Sequence, residues 1–204
     1  MIPNHLLVAT AVAMAVLVGL YGCSTGDDAA QHDHEQLADD RRQTVSEERE
    51  DDMIIERVDT TGDGEGDIIR HFEEYEDPRQ EGRMRRRLRV MEVDTNTDGN
   101  IDVRREYDEY GNIEREENDQ SLDGNIDTVL EFTGGELTRK KIMADDGERA
   151  EERRIYYDGR LVRVERDDNE NGEIDRWEYY EEGVLMRVGL DTTGDGSADT
   201  WQMR

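Results

Sequence analysis

Most of what builds a conventional core or a conventional active site is scarce in this sequence. There is a single cysteine, Cys23, so no disulfide can form within the chain. Beyond residue 52 there is one histidine, His71, and no cysteine, which leaves no ligand set for a zinc cluster and no Cys–His nucleophile. No nucleophile elbow and no phosphate loop is present. Only 33% of the 204 residues are hydrophobic, and a good share of those fall in the first 22. Composition alone would place such a chain among disordered proteins. Positive charge is scarce as well: 54 acids face 26 Lys and Arg, a formal charge of −28. A nucleic acid is therefore excluded as a natural partner.

What is present is a pattern of oxygens. Asp94-Thr95-Asn96-Thr97-Asp98-Gly99-Asn100-Ile101-Asp102 places acids at positions one, five and nine, an oxygen side chain at three and Gly at six. The same frame recurs at Asp59–Asp67, Asp119–Asp127, Asp167–Asp175 and Asp191–Asp199. A weaker copy lies near Asp145-Asp146-Gly147 and ends at Glu151. The starts at Asp94, Asp119, Asp167 and Asp191 are 25, 48 and 24 residues apart, and the weak copy sits inside the 48. A fixed period of this size marks a repeat architecture.

A hard cation such as Ca²⁺ takes roughly six to eight oxygen ligands, and one curled loop can supply several of them. The candidate ligands are Asp59, Asp63 and Asp67; Asp94, Asn96, Asp98 and Asp102; Asp119, Asp123 and Asp127; Asp167, Asn169, Asn171 and Asp175; and Asp191, Asp195 and Asp199. The loops resemble the calcium loops of thrombospondin type 3 repeats and, more loosely, those of EF-hands and dockerins. An EF-hand closes with a bidentate Glu at position twelve. Here that place holds Arg70, Arg105, Leu130, Glu178 and Gln202, so each site needs water or a neighbouring carboxylate. Asp-Gly and Asn-Gly are also plain turn formers. Turn chemistry does not require acids four residues before and four residues after the central residue, which is Asp in four copies and Asn171 in the other.

Between the acidic loops one script repeats. A β-rich run such as Asp102–Tyr107 leads to a Gly-containing turn, Asp108–Asn112, and then to a second β-rich run from Ile113. An aromatic follows the last loop acid by five residues at Phe72, Tyr107, Phe132 and Tyr180, and Tyr156 fits from Glu151. An aliphatic follows the turn Gly by two residues at Ile113, Leu137, Leu161 and Leu185. The two are expected to face each other across a hairpin. Ile101, Ile126 and Ile174 are expected to pin the loops onto the sheet. Arg115, Arg139, Arg163 and Arg187 recur at matching places and should align as a ladder. The ladder either neutralises neighbouring acids or grips an anionic ligand. The expected fold is all-β: tandem antiparallel hairpins of about 24 residues joined by acidic loops, over residues 53–204.

Residues 1–22 carry no Asp, Glu, Lys or Arg and contain an apolar run of secretory-signal length. The run ends in Leu20-Tyr21-Gly22-Cys23, which resembles the bacterial lipobox, with Tyr21 and the absence of an early Lys or Arg as departures. That resemblance implies a signal peptide over 1–22, acylation of Cys23 and an outer-membrane lipoprotein of the bacterial envelope held to the membrane by lipid. Residues 23–52 read as an acidic, flexible tether. His32 and His34 read as solvated. Residues 53–204 are similar to bacterial lipoproteins built from tandem D-x-x-x-D-G-x-x-D units, and the similarity implies calcium loops without implying an activity.

One basic patch interrupts the acidic chain: Arg79, Arg83, Arg85, Arg86, Arg87 and Arg89, six Arg in eleven residues. It suits lipid or lipopolysaccharide phosphate, or the protein's own acids. The sequence thus points to a non-enzymatic, calcium-stabilised envelope protein with a structural or binding surface, its protein or polysaccharide partner unspecified. The alternatives are an adhesin using the Arg79–Arg89 patch and a hydrolase using paired carboxylates. The hydrolase is disfavoured because a catalytic site is unique and these acids belong to a repeat.

Overall fold

The computed structural model describes residues 44–50 and 52–204. The apolar run, Cys23, His32 and His34 lie outside the described residues, as does most of the stretch read as a tether.

Thirteen strands form one open antiparallel sheet in chain order. They are β1 (Thr44–Glu50), β2 (Met53–Asp59), β3 (Ile68–Glu76), β4 (Met84–Val93), β5 (Val103–Tyr107), β6 (Ile113–Asn118) and β7 (Thr128–Thr133). They continue as β8 (Glu136–Met143), β9 (Ala150–Tyr157), β10 (Arg160–Arg166), β11 (Arg176–Glu181), β12 (Val184–Leu190) and β13 (Thr200–Met203). No helix occurs among the described residues, and each strand touches only its sequence neighbours. The expected tandem hairpins are present. The sheet begins at Thr44 rather than Met53, because β1 pairs along its whole length with β2, from Thr44 opposite Asp59 to Glu50 opposite Met53.

With no described residue packed on either face, most strand residues are half-exposed. The buried apolar side chains among the described residues are Ile54, Ile55, Val58, Val129, Ala144, Val164 and Val188. This thin core agrees with the low apolar content. Cross-strand partners share a face and successive residues alternate. On one face, Phe72 stands opposite Leu88, Tyr107 opposite Ile113, Phe132 opposite Leu137, Tyr156 opposite Leu161 and Tyr180 opposite Leu185. The aromatic–aliphatic pairs expected from spacing therefore form, together with an added one at Leu88.

A bulge follows each of these pairs. The register shifts between His71 and Phe72, Glu106 and Tyr107, Glu131 and Phe132, Leu161 and Arg163, and Tyr179 and Tyr180. A bulge inserts one unpaired residue and so changes which face the following residue meets. Ile113 and Arg115 are two apart and would share a face in a regular strand. With the bulge, Ile113 pairs with Tyr107 on the first face and Arg115 pairs with Glu106 on the second. The same shift carries Arg139, Arg163 and Arg187 to the second face. The expected ladder exists, running on the face opposite the aromatic pairs.

Candidate metal site

The acidic loops all connect strands at the same end of the sheet, because each follows an even-numbered strand. Their backbones are stitched together. The Asp94 N–H donates to the Asp67 carbonyl at 2.9 Å, Asp119 N–H to the Asp102 carbonyl at 2.7 Å, and Asp191 N–H to the Asp175 carbonyl at 2.8 Å. Each corner is closed by the last acid, as when the Asp102 N–H donates to the Val93 carbonyl at 2.9 Å.

The position-one carboxylate grips the loop's own peptide N–H groups. Asp94 accepts from Thr97 at 2.6 Å and Gly99 at 2.8 Å. Asp119 accepts from Leu122 at 2.6 Å and Gly124 at 2.7 Å, and Asp191 from Gly194 and Gly196, both at 2.7 Å. Asp59 accepts from Gly62 at 2.5 Å and Gly64 at 2.9 Å, and Asp167 from Asn171 at 3.1 Å and Gly172 at 2.8 Å. The position-nine carboxylate does the same for the loop's first residues. Asp67 accepts from the Thr60 N–H at 2.6 Å, Asp102 from Thr95 at 2.6 Å, Asp127 from Gln120 at 2.6 Å and Asp199 from Thr192 at 3.0 Å. Asp175 accepts from the Asn169 N–H at 3.0 Å and its side-chain amide at 2.6 Å.

At Asp59, Asp191 and Asp199 these bonds favour the charged form. The Gly62 and Gly64 N–H groups hold Asp59 below the ordinary carboxylate pKa. The Thr192 hydroxyl and N–H do so for Asp199. Burial works against the charge of Asp191, but the Gly194 and Gly196 N–H groups outweigh it and the net shift is downward. Peptide N–H donors favour the charged form of a carboxylate because they bond to it more strongly than to the neutral acid.

The position-five groups behave differently. Asp63, Asp98, Asp123, Asn171 and Asp195 are exposed, and each accepts the N–H two residues on, at 2.7 to 2.9 Å. At position three, Asn96 donates to Asp98 at 3.0 Å, while Thr61, Ser121 and Thr193 lie within 3.2 to 3.3 Å of their position-one acids. The structure thus brings positions one and nine onto the loop backbone and leaves position five in solvent.

The donor chemistry suits a hard cation, but the donors are not gathered around one. Among the described residues, no three His, Cys, Asp or Glu groups stand together so as to hold a metal. One oxygen remains uncommitted in a telling place. Asp102 is 1% exposed, and its Oδ1 is buried without a hydrogen-bond partner, while Oδ2 accepts from Thr95 and Asn96. The first two corners also enclose a small cleft of about 100 Å³ lined by Asp63, Glu65, Asp67 and Asp94.

The weak copy forms a shorter corner. Its Ala144 N–H donates to the Arg149 carbonyl at 2.7 Å, and Gly147 N–H to the Ala144 carbonyl at 2.8 Å. Arg149 then reaches the next corner and donates to Asp167 Oδ2 at 2.7 Å. The Asp167 side chain is 1% exposed. Burial opposes its charge, yet the Gly172 N–H, the Arg149 guanidinium and the Asn171 N–H together lower its pKa.

Sequence reasoning missed two residues of the corner. Position four adopts a left-handed backbone in every complete copy: Gly62 (φ 83°), Thr97 (61°), Leu122 (60°), Glu170 (61°) and Gly194 (75°). The two glycines were the available signal. Position two also caps: the Thr60 and Thr95 hydroxyls donate to Asp67 and Asp102, and Thr192 donates to Asp199 at 2.8 Å. The recurrence of Thr was the signal.

The Arg79–Arg89 patch lies on the β3–β4 hairpin and turns to the chain's own acids. Arg85 meets Asp77 at 2.6 Å, Arg86 meets Glu47 at 2.8 Å, Arg87 meets Glu73 at 2.9 Å and Arg89 meets Glu73 at 3.6 Å. Arg79 and Arg83 make no ion pair among the described residues. The acids involved belong to strands and the hairpin turn rather than to the acidic loops.

No family model and no curated protein matches the chain. Among solved structures, it is similar to a chain of the accessory secretory protein 1, 2 and 3 structure from Streptococcus pneumoniae, at 17% identity and a TM-score of 0.24. The match covers 59% of this chain and 19% of that one.

Proposed function

We propose that the protein is a non-enzymatic component of a bacterial cell envelope, lipid-tethered through Cys23 to the outer membrane, whose open sheet serves as a structural or binding surface. We further propose that its acidic corners collect calcium. The observation that carries this reading is the row of five corners with the same donor frame at one end of the sheet. The uncommitted, buried Oδ1 of Asp102 adds to it. The corners close on peptide N–H donors, so calcium adds to a folded loop. Capture needs the exposed position-five side chains, four Asp and Asn171, to swing inward. Binding is then weak, about 10⁻⁴–10⁻³ M, as in extracellular modules. Metal binding confined to the folded state raises stability by mass action. The non-enzymatic part rests on the corner carboxylates, which are committed to backbone donors in a repeating manner.

The test is a calcium titration into chelated protein, followed by calorimetry and thermal melting. A millimolar Kd with a rising Tm is expected, and a melt that ignores calcium up to tens of millimolar rejects the calcium part. Lipid labelling in cells, with Cys23→Ala as the control, tests the anchor. Equal labelling of both rejects it.

A further inference from the structure

The second face of the sheet changes character along the chain. Over β5–β8 one row reads Glu106, Arg115, Glu131, Arg139. Glu131 lies 3.8 Å from Arg115 and 2.7 Å from Arg139, so this part of the ladder is neutralised from within. Over β9–β13 the same row reads Ile155, Arg163, Tyr179, Arg187, Met203. The next row reads Lys141, Arg153, Glu165, Trp177, Gly189, Trp201. Acids give way to aromatics between the same recurring arginines.

Three features make these rows a continuous surface. Arg139, Lys141, Arg153, Ile155, Arg163 and Glu165 line a groove of about 290 Å³. Lys141 and Arg139 share Glu131 and Arg163 pairs with Glu165, while Arg153 makes no ion pair among the described residues. Beside the groove, the Arg187 guanidinium lies over Tyr179 at 4.3 Å and over Trp201 at 4.8 Å. Gly189 makes room for this cluster: a Cβ there would stand 3.0 Å from the Trp201 ring. Trp201 stays 47% exposed and Met203 78% exposed. Both tryptophans of the chain lie on this face.

We propose that this face, from β8 to β13, binds an acidic glycan, its guanidiniums meeting carboxylates and its rings stacking on sugar faces. The cations Arg139, Lys141, Arg153, Arg163 and Arg187 outnumber the two acids that pair with them, Glu131 and Glu165, so the occupant is anionic. Arg139, Arg163 and Arg187 stand on alternate strands, about 10 Å apart, close to the advance of a disaccharide in an extended glycan. Nucleic-acid phosphates recur more closely, and the −28 charge keeps a dense polyanion away. A glycan charged on every second sugar meets the arginines and places a neutral ring over Ile155 and Tyr179. This goes beyond the calcium proposal and uses residues on the sheet face rather than the corners.

The test uses the full chain in chelator, with tryptophan fluorescence read against three probes: an oligosaccharide with alternating uronic acid, a neutral oligosaccharide of the same length and single-stranded oligothymidine. Expected are a saturable fluorescence change with the acidic oligosaccharide alone, weakened by salt, and a loss of tenfold or more in Arg163→Glu. Arg153→Gln and Trp201→Ala each lose threefold or more, which keeps the test informative if Arg163→Glu misfolds, and Arg87→Glu on the β3–β4 hairpin binds as wild type. Equal response to the neutral probe, tighter binding of oligothymidine, no response at all, or unchanged binding in both Arg153→Gln and Trp201→Ala overturns the proposal. Because chelator is present throughout, failure of the calcium reading leaves this outcome unaffected.

Discussion

Five corners of this sheet are complete and one is not, and the contrast shows what the acids do for the fold. In a complete corner such as Asp94–Asp102, two buried carboxylates hold the loop from both ends, one on the Thr97 and Gly99 N–H groups and one on Thr95 and Asn96. The incomplete corner has no acid in either role. Ala144 and Arg149 close it by backbone bonds alone, and Arg149 reaches out to the neighbouring Asp167. A short turn suffices to reverse the chain. The extra residues of the complete corners create peptide donors that carboxylates must satisfy, and the recurrence of acids at positions one and nine follows from that need.

The largest expected effect separates the two kinds of corner by pH. Asp59, Asp167, Asp191 and Asp199 have folded-state pKa values below their ordinary ones. Their contribution is present above the unfolded pKa of about 3.9 and is lost as pH falls through the lower folded values. Stability should therefore fall steeply below pH ~4. Amide exchange should show Gly62, Gly64, Gly194 and Gly196 losing protection first. Gly147, bonded to the Ala144 carbonyl, should keep its protection until the sheet melts. Simultaneous loss at both kinds of corner would erase the distinction.

Next in size is Asp102→Ala, which removes the acceptor of the part-buried Thr95 and Asn96 N–H groups and should cost about 2 kcal/mol in chemical denaturation. Asp146→Ala, in the incomplete corner, removes only a bond to the Glu148 N–H at 3.0 Å and should change stability by less than about 0.5 kcal/mol. Similar costs for the two would break the comparison. Arg149→Ala should destabilise by no more than half as much as Asp102→Ala, through the loss of the cation at Asp167. If calcium enters corners, this variant should gain more from added calcium than wild type does, read as the Tm shift. One further effect has the opposite sign. Thr97→Gly relieves a left-handed backbone at φ 61° and should stabilise by about 0.5 kcal/mol.

Much of the fold was legible because period-two alternation and a fixed repeat constrain a sheet tightly. The partners of Tyr107, Phe132, Tyr156 and Tyr180 were read from spacing, and the ladder pairs them as expected. The β1 strand was not legible, since Ser46-Glu47-Glu48-Arg49-Glu50 carries no apolar alternation and gains its order from pairing with β2. The corners were legible as a pattern and less so as a geometry. Acid spacing is the same whether a carboxylate faces an ion or a peptide N–H, so Asp94 and Asp102 were recognised while the role of Thr95 and the backbone of Thr97 were not.

The sequence by itself determined the repeat, the hairpin partners and the end of the sheet at which the acids collect, because these follow from spacing along one chain. Only the tertiary structure decided which face each arginine occupies. A single inserted residue at each bulge moves Arg115, Arg139, Arg163 and Arg187 away from the aliphatics two positions earlier. Side-chain period in a strand is two, so a shift of one residue exchanges the faces, and that shift is set by cross-strand hydrogen bonding rather than by the order of the residues.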